Sequence, residues 1–121
     1  MEKPISRKAH GFAEYAFVPL SSAAPELFSF TDEPRAKQLC RTIGAGVMLS
    51  ALVTRAEWGV VKIVPFKTHL LVDFSLGIFA LAAPRLFGFS HSRNAARTFL
   101  ALGITSLVIP LLTQNKEMKD E

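Results

Sequence analysis

Four long apolar stretches alternate with shorter polar stretches along the chain. Between Arg97 and Lys116 there is no charged residue, and between His69 and Arg85 the only charge is Asp73. A soluble amphipathic helix places polar residues at every third or fourth position, and these stretches do not. The pattern therefore predicts four helices, at about 9–30, 36–55, 68–89 and 95–114.

The length of these stretches suits a lipid bilayer. A hydrocarbon core about 30 Å thick requires roughly 20 helical residues. The last two stretches reach that length with their flanks. The first reaches it only if Glu14 lies inside the membrane or extends to the interface, and the second only if Lys37 and Arg41 do so. We therefore predict an all-α, four-helix transmembrane bundle in a single membrane domain, residues 1–121. The alternative is a soluble four-helix bundle with unusually apolar helices.

The chain contains an internal repeat. Residues 23–54 align with residues 82–113 without a gap, at an offset of 59, and extending the alignment back to Lys8 and Lys67 gives 12 identities over 47 positions. Each unit is a two-helix hairpin, so both units start on the same side of the membrane. The units are predicted to be related by a pseudo-twofold axis along the membrane normal. The predicted parts are repeat one at 8–54, an interfacial linker at 55–66, repeat two at 67–113 and a polar tail at 114–121.

The formal net charge of +4 is spread along the chain and does not form a long basic run, which argues against nucleic-acid binding. With the N-terminus inside, eight Lys and Arg residues lie on the cytoplasmic side and six on the other, which favours a cytoplasmic N-terminus. Cys40 is the only cysteine, so an intrachain disulfide and a cysteine metal cluster are excluded.

The segment GIFALAAPRLFGFS resembles the SPW-repeat family of small bacterial membrane proteins. In that family the first helix of a two-helix unit ends in Ser-Pro-Trp, followed by an apolar residue, Gly and Phe. The corresponding positions here read Ala24-Pro25-Glu26 and Ala83-Pro84-Arg85. The resemblance implies a multi-pass four-helix protein of a bacterial cytoplasmic membrane, and it implies no established enzyme activity.

Prolines and glycines at matching positions of the repeat have structural interpretations. Pro25 and Pro84 are expected to end or bend their helices, and the Phe residues after them are expected to anchor at the interface. Gly44 and Gly103 are expected to let helices 2 and 4 pack closely against a neighbour. These assignments concern the fold and not the chemistry.

Two histidine–carboxylate pairs carry the candidate chemistry. His10 and Glu14 are four residues apart, as are His69 and Asp73, so each pair shares one face of a helix. The pairs match in the repeat and should lie at equal depth. Helices 1 and 3 are diagonal in an up-down-up-down bundle and can both face its axis. Two imidazoles and two carboxylates could then converge, and we expect both pairs to face protein rather than lipid.

The residues leave several roles open for these pairs. They could be structural, with each carboxylate pairing with a histidine where an unsatisfied polar group would be costly. They could bind Zn²⁺, iron or manganese, or carry protons or ions through the bundle. His10 and His69 could also ligate a haem. No cofactor is expected on the structural interpretation, and a metal or haem is the alternative.

The sequence contains no Ser/His/Asp set, Walker motif or glycine-rich nucleotide fingerprint, and so gives no support for an enzyme. The leading hypothesis is a small integral membrane protein of structural or accessory role, which self-associates or joins a larger membrane complex. Its expected partners are the lipid bilayer and further copies or other membrane proteins. The alternative is a small transporter or a metal- or haem-binding membrane protein that uses the two pairs.

Overall fold

The computed structural model describes residues 3–118 and shows four α-helices and no strand within that range. The prediction of an all-helical chain is confirmed. The last three residues of the predicted polar tail at 114–121 lie outside the described residues. The helices are α1 (Arg7–Leu27), α2 (Pro34–Leu52), α3 (Phe66–Leu86) and α4 (Arg93–Leu112).

Each helix begins two residues before its predicted start and ends two or three residues before its predicted end. The early starts of α1 and α4 have a local cause. The Ser6 hydroxyl accepts a hydrogen bond from Ala9 N, and the Ser92 hydroxyl accepts one from Ala95 N. A serine in this position satisfies one of the free N–H groups of the first turn and fixes where the helix begins.

The early ends of α1 and α3 follow from a residue with positive φ after each proline. Ser29 has φ 58° and Gly88 has φ 74°, the left-handed conformation that closes many helices. The turn directs Phe30 and Phe89 inward, where each is only 1 % exposed. The expectation of an interfacial aromatic anchor is therefore wrong for these two residues, because the turn folds them into the core.

The helices pack as two antiparallel hairpins, α1 with α2 and α3 with α4. Glycines lie where these helices approach each other. A Cβ added at Gly44 would lie 2.1 Å from Ser22 Oγ, and one added at Gly103 would lie 3.0 Å from the carbonyl oxygen of Gly77. Small residues at such crossings allow the backbones to come close together.

Backbone contacts between the hairpins recur at the offset of the sequence repeat. Ile5, just before α1, forms a β-bridge with Thr113, and Val64, just before α3, forms one with Thr54. The segment leading into each hairpin is thus bonded to the end of the other hairpin. The same offset of 59 relates the two bridges, since it carries residue 5 to 64 and residue 54 to 113.

Small side chains dominate the interior and large apolar ones cover much of the exterior. The core contains several fully buried alanines together with Phe30, Phe89 and Phe99. Among the described residues, only α3 and α4 are long and apolar enough to cross a membrane by length and composition. In the most apolar 18-residue stretch of each helix, only 39 % of α3 and 33 % of α4 is buried inside the protein. Both helices therefore turn most of their apolar surface outward.

Candidate functional site: a buried histidine–carboxylate ring

The four residues of the two predicted pairs lie together inside the protein. His10 and Glu14 project from the first three turns of α1, and His69 and Asp73 project from the first three turns of α3. The histidine side chains are 3 % and 2 % exposed, and the carboxylates are 6 % and 11 % exposed. The structure therefore places two imidazoles and two carboxylates in one buried cluster that joins the two hairpins.

Four atoms of these side chains form a closed ring in which nitrogen and oxygen alternate. His10 Nε2 lies 2.8 Å from Glu14 Oε2 and 2.9 Å from Asp73 Oδ2. His69 Nε2 lies 2.7 Å from Glu14 Oε2 and 3.2 Å from Asp73 Oδ2. Two sides of the ring lie within a helix, and the other two cross between α1 and α3. We refer to these four atoms as the histidine–carboxylate ring.

Threonine hydroxyls fix the outer nitrogen of each imidazole. Thr54 Oγ1 donates its single proton to the carbonyl oxygen of Ser50 at 2.6 Å, so it accepts a hydrogen bond from His69 Nδ1 at 2.7 Å. Thr113 Oγ1 likewise donates to the carbonyl oxygen of Ile109 and accepts from His10 Nδ1 at 3.1 Å. Both histidines therefore carry a proton on Nδ1, and both direct Nε2 into the ring.

An aromatic side chain covers one side of the imidazoles. The ring of Phe66, the first residue of α3, is stacked on His69 with an interplanar angle of 6° and meets His10 edge-on. Phe66 is itself 1 % exposed. The contact holds both imidazole planes in place and keeps that side of the cluster apolar.

Clefts between the helices reach the ring. A cavity of about 60 Å³ between α1 and α4 is lined by His10, Glu14 and Asp73. A second cleft of about 280 Å³ between α2 and α3 is lined by Asp73 and Ser50. The remaining lining of both clefts is mostly apolar. The smaller cavity is large enough for water, which needs polar partners such as these carboxylates.

The charge of the ring depends on what occupies its centre. With both Nε2 atoms unprotonated, the two carboxylates leave a formal charge of −2 in a buried site. Uncompensated buried charge is costly. Two added protons, or one divalent cation, would each bring the formal charge to zero. The arrangement is therefore suited to an internal double ion pair or to a divalent metal ion.

Two of the alternative roles fit the geometry less well. A haem between His10 and His69 would need its porphyrin plane where the oxygens of Glu14 and Asp73 contact both Nε2 atoms. A path for ions would need polar groups beyond the ring. The buried core described between there and the far ends of the helices consists mostly of alanine and phenylalanine, and Ser21 is one of its few polar members.

The linker lies against the start of α1, close to the ring. Trp58 Nε1 donates to the carbonyl oxygen of Lys8 at 2.9 Å, and the hydroxyl of Tyr15 donates to the carbonyl oxygen of Trp58 at 2.8 Å. Arg7 forms a two-pronged ion pair with Glu57, at 2.7 and 2.9 Å. This guanidinium holds the pKa of the Glu57 carboxyl below its usual range.

Sequence reasoning missed the two threonines and Ser50. Thr54 and Thr113 match in the repeat alignment, and this match was the available signal, but it does not reveal which side chain they contact. His91, outside the pairs, has a largely exposed side chain and contacts Glu33 at 2.7 Å in the loops joining the helices.

The fold and the site together define a small all-α protein in which two helical hairpins are joined by a buried histidine–carboxylate ring. No family model, curated protein or solved structure matches the chain.

Proposed function

We propose that the chain is a four-span integral membrane protein of structural or accessory role, which self-associates or joins a larger membrane complex. We also propose that it is a divergent member of the SPW-repeat family and that its two hairpins arose by duplication. The observation that carries the membrane proposal is the distribution of side chains, with small and polar residues inside and large apolar residues outside.

The exposed apolar side chains lie on all four helices. Phe12 is 66 % exposed, Leu49 is 63 % exposed and Leu86 is 67 % exposed. A soluble monomer rarely exposes large contiguous apolar surface to water, because burying that surface elsewhere is favourable. Lipid tails or the helices of another membrane protein would cover it. The most apolar stretches of α3 and α4 face mostly outward, which supports a membrane environment over a soluble bundle.

The first hairpin is less apolar, and its charges lie where a membrane protein tolerates them. Lys37 and Arg41 lie in the first three turns of α2, where Lys37 is half-buried and Arg41 is exposed. Arg41 forms an ion pair with Glu26 at 2.6 Å, near the end of α1. Long basic side chains near a helix end extend to the interface while their stems remain in apolar surroundings.

The histidine–carboxylate ring supplies the structural part of this proposal. The two contacts that cross from α1 to α3 tie one hairpin to the other. Every buried side-chain nitrogen and oxygen among the described residues has a hydrogen-bond partner. In a low-dielectric interior a satisfied polar network is stabilising, whereas a broken one is costly. The ring thus holds the two hairpins in one relative position.

Membrane extraction tests the proposal directly. The full chain is expressed without a tag, and the membranes are washed with alkaline carbonate, which removes peripheral proteins. We expect the chain to stay in the pellet and then to migrate, after mild detergent extraction, in a complex larger than its 13.3 kDa protomer. Release by carbonate would overturn the membrane assignment, and a strictly monomeric protein in mild detergent would overturn the accessory role.

A further inference from the structure

We propose that the histidine–carboxylate ring binds one divalent transition-metal ion of the zinc class, with one ligand atom from each of His10, Glu14, His69 and Asp73. One atom from each residue lies within 4.8 Å of all the others, and all four residues are buried. The proposal goes beyond the accessory role and does not depend on whether the helices span a membrane.

The ring contains more close nitrogen–oxygen contacts than hydrogen bonds. His10 Nε2 is hydrogen-bonded to Asp73 Oδ2 and His69 Nε2 to Glu14 Oε2, and the contact within each helix is additional. His10 Nε2 faces two carboxylate oxygens at nearly equal distances of 2.8 and 2.9 Å. An imidazole Nε2 carries at most one proton, and that proton cannot point at both oxygens with good alignment. A single ion at the centre would instead contact both nitrogens and both oxygens. Coordination would therefore account for all four contacts, including the two within a helix that carry no hydrogen bond.

The four sides of the ring are close in length to the edges of a tetrahedral zinc site. Bonds of about 2.0–2.1 Å from zinc to nitrogen and oxygen place neighbouring ligand atoms about 3.3 Å apart. The four sides of the ring measure 2.7, 2.8, 2.9 and 3.2 Å. The ring thus has to widen by only a few tenths of an ångström on most sides to hold the ion.

The surroundings of the imidazoles also match a metal site. A metal-binding histidine usually donates its other N–H to a nearby acceptor, which fixes the tautomer and the ring orientation. Thr54 and Thr113 provide this acceptor, because the proton of each hydroxyl is already committed to a backbone carbonyl. Both Nε2 atoms are thereby directed towards one point before any ion arrives.

The ligand set selects the class of ion. Two imidazoles with two carboxylates suit Zn²⁺ and neighbouring first-row ions, whereas Mg²⁺ and Ca²⁺ prefer ligand sets made entirely of oxygen. A divalent charge also balances the two carboxylates of Glu14 and Asp73 in the buried site. The cavity of about 60 Å³ beside them gives the ion an approach and gives water a place as a further ligand.

Metal binding by the full, untagged chain tests the proposal. The chain is purified in detergent, stripped with a chelator and titrated with Co²⁺ and Zn²⁺. We expect one ion per chain, a visible cobalt spectrum typical of four-coordinate nitrogen and oxygen ligation, and displacement of cobalt by zinc but not by magnesium. X-ray absorption of the zinc form should show two imidazoles. A shell made only of oxygen, or no stoichiometric binding, would overturn the proposal.

Matched variants separate this site from adventitious binding. Removal of a ligand in His69→Gln should weaken zinc binding by more than about 100-fold, and Thr54→Val should weaken it by about 10- to 100-fold through the misplaced imidazole. His91→Gln removes an exposed histidine and should leave the affinity unchanged. Equal affinity in His69→Gln and the unaltered chain would contradict the site, as would a loss of binding in His91→Gln alone.

The fold of each variant is checked by the reactivity of Cys40, which is fully buried in α2. A folded variant should protect this thiol from a maleimide as well as the unaltered chain does. If His69→Gln exposes the thiol, the cobalt and X-ray absorption spectra of the unaltered chain decide the question. Because these measurements use detergent-solubilised protein and read metal content, their failure would leave the membrane proposal untouched.

Discussion

Thr54 accepts a hydrogen bond from His69 Nδ1 at 2.7 Å while donating its own proton to the carbonyl oxygen of Ser50. The end of α2 thereby sets the orientation of an imidazole on α3, across the boundary between the two hairpins. The hydroxyl of Ser50 also lies 3.0 Å from the same nitrogen. The other hairpin therefore shares with Phe66 of α3 in setting the direction in which His69 Nε2 points.

Replacing this hydroxyl should destabilise the protein. Thr54→Val keeps the shape of the side chain but removes the main acceptor for a buried N–H. Leaving such a group poorly satisfied costs about 1–3 kcal/mol, and Ser50 should keep the loss in the lower part of that range. The loss is measured as the change in the free energy of unfolding in detergent. Thr42→Val, at an exposed position of α2, is the control and should change stability by less than about 0.5 kcal/mol.

The contact between His10 and Asp73 should appear as an energetic coupling between α1 and α3. A double-mutant cycle of His10→Gln and Asp73→Asn should give an interaction energy of about 0.5–3 kcal/mol, because the two side chains are 2.9 Å apart and buried. His10→Gln combined with a change at the distant Glu33 should be additive. A coupling within error of zero for the first pair would show that the cross-hairpin contact is absent in solution.

The sequence predicts the helices and the four ring residues for clear physical reasons. Uncharged stretches long enough for a helix identify the elements, and the four-residue spacing puts His69 and Asp73 on one face. The repeat then places them level with their counterparts on α1. The alternation of nitrogen and oxygen atoms around one centre could not be predicted from this pattern. It depends on which carboxylate oxygen each Nε2 approaches once the two hairpins have packed together.

Contacts that depend on loop conformation were beyond the sequence pattern. Phe30 and Phe89 look like interfacial aromatics, and only the positive φ of Ser29 and Gly88 turns them into the core. Thr54 has an ordinary helix-end sequence context. Its role arises from tertiary packing, which brings the histidine of another helix to its hydroxyl.

Two glycines provide a matched test of helix packing. A Cβ added at Gly103 would lie 2.7 Å from the side chain of Leu81 and 3.0 Å from the carbonyl oxygen of Gly77, whereas one added at Gly46 would meet nothing within 4 Å. Gly103→Ala should therefore destabilise the protein by about 1–3 kcal/mol. Gly46→Ala should be neutral or stabilising by up to about 1 kcal/mol. Equal thermal stability of the two variants would contradict the close α3–α4 crossing.

The proposed four spans predict that both chain ends lie on one side of the membrane. Topology reporters fused after residue 121 and within residues 31–33 should give opposite signals, because the second site lies between α1 and α2. The charge bias favours a cytoplasmic reporter after residue 121. The same signal from both fusions would exclude the four-span arrangement, and opposite signals with the reverse orientation would exclude only the cytoplasmic N-terminus.

The two carboxylates of the ring are expected to be equivalent. Glu14 and Asp73 match at the repeat offset, and each contacts both histidines, but Glu14 has one more methylene. Glu14→Asp should draw one oxygen away from the ring, and Asp73→Glu should overfill a buried site, a change that costs about 1–3 kcal/mol.

The double swap, Glu14→Asp with Asp73→Glu, restores one long and one short carboxylate. If the two corners of the ring are equivalent, the swap should lose less stability than the sum of its parts, by at least about 0.5 kcal/mol. Glu26→Asp with Asp73→Glu is the control, because Glu26 pairs with Arg41 outside the ring and its effect should be additive. Unfolding of the four variants in one detergent measures both pairs. An additive or worse double swap would mean that each hairpin has its own requirements at this site, despite the shared pattern of hydrogen bonds.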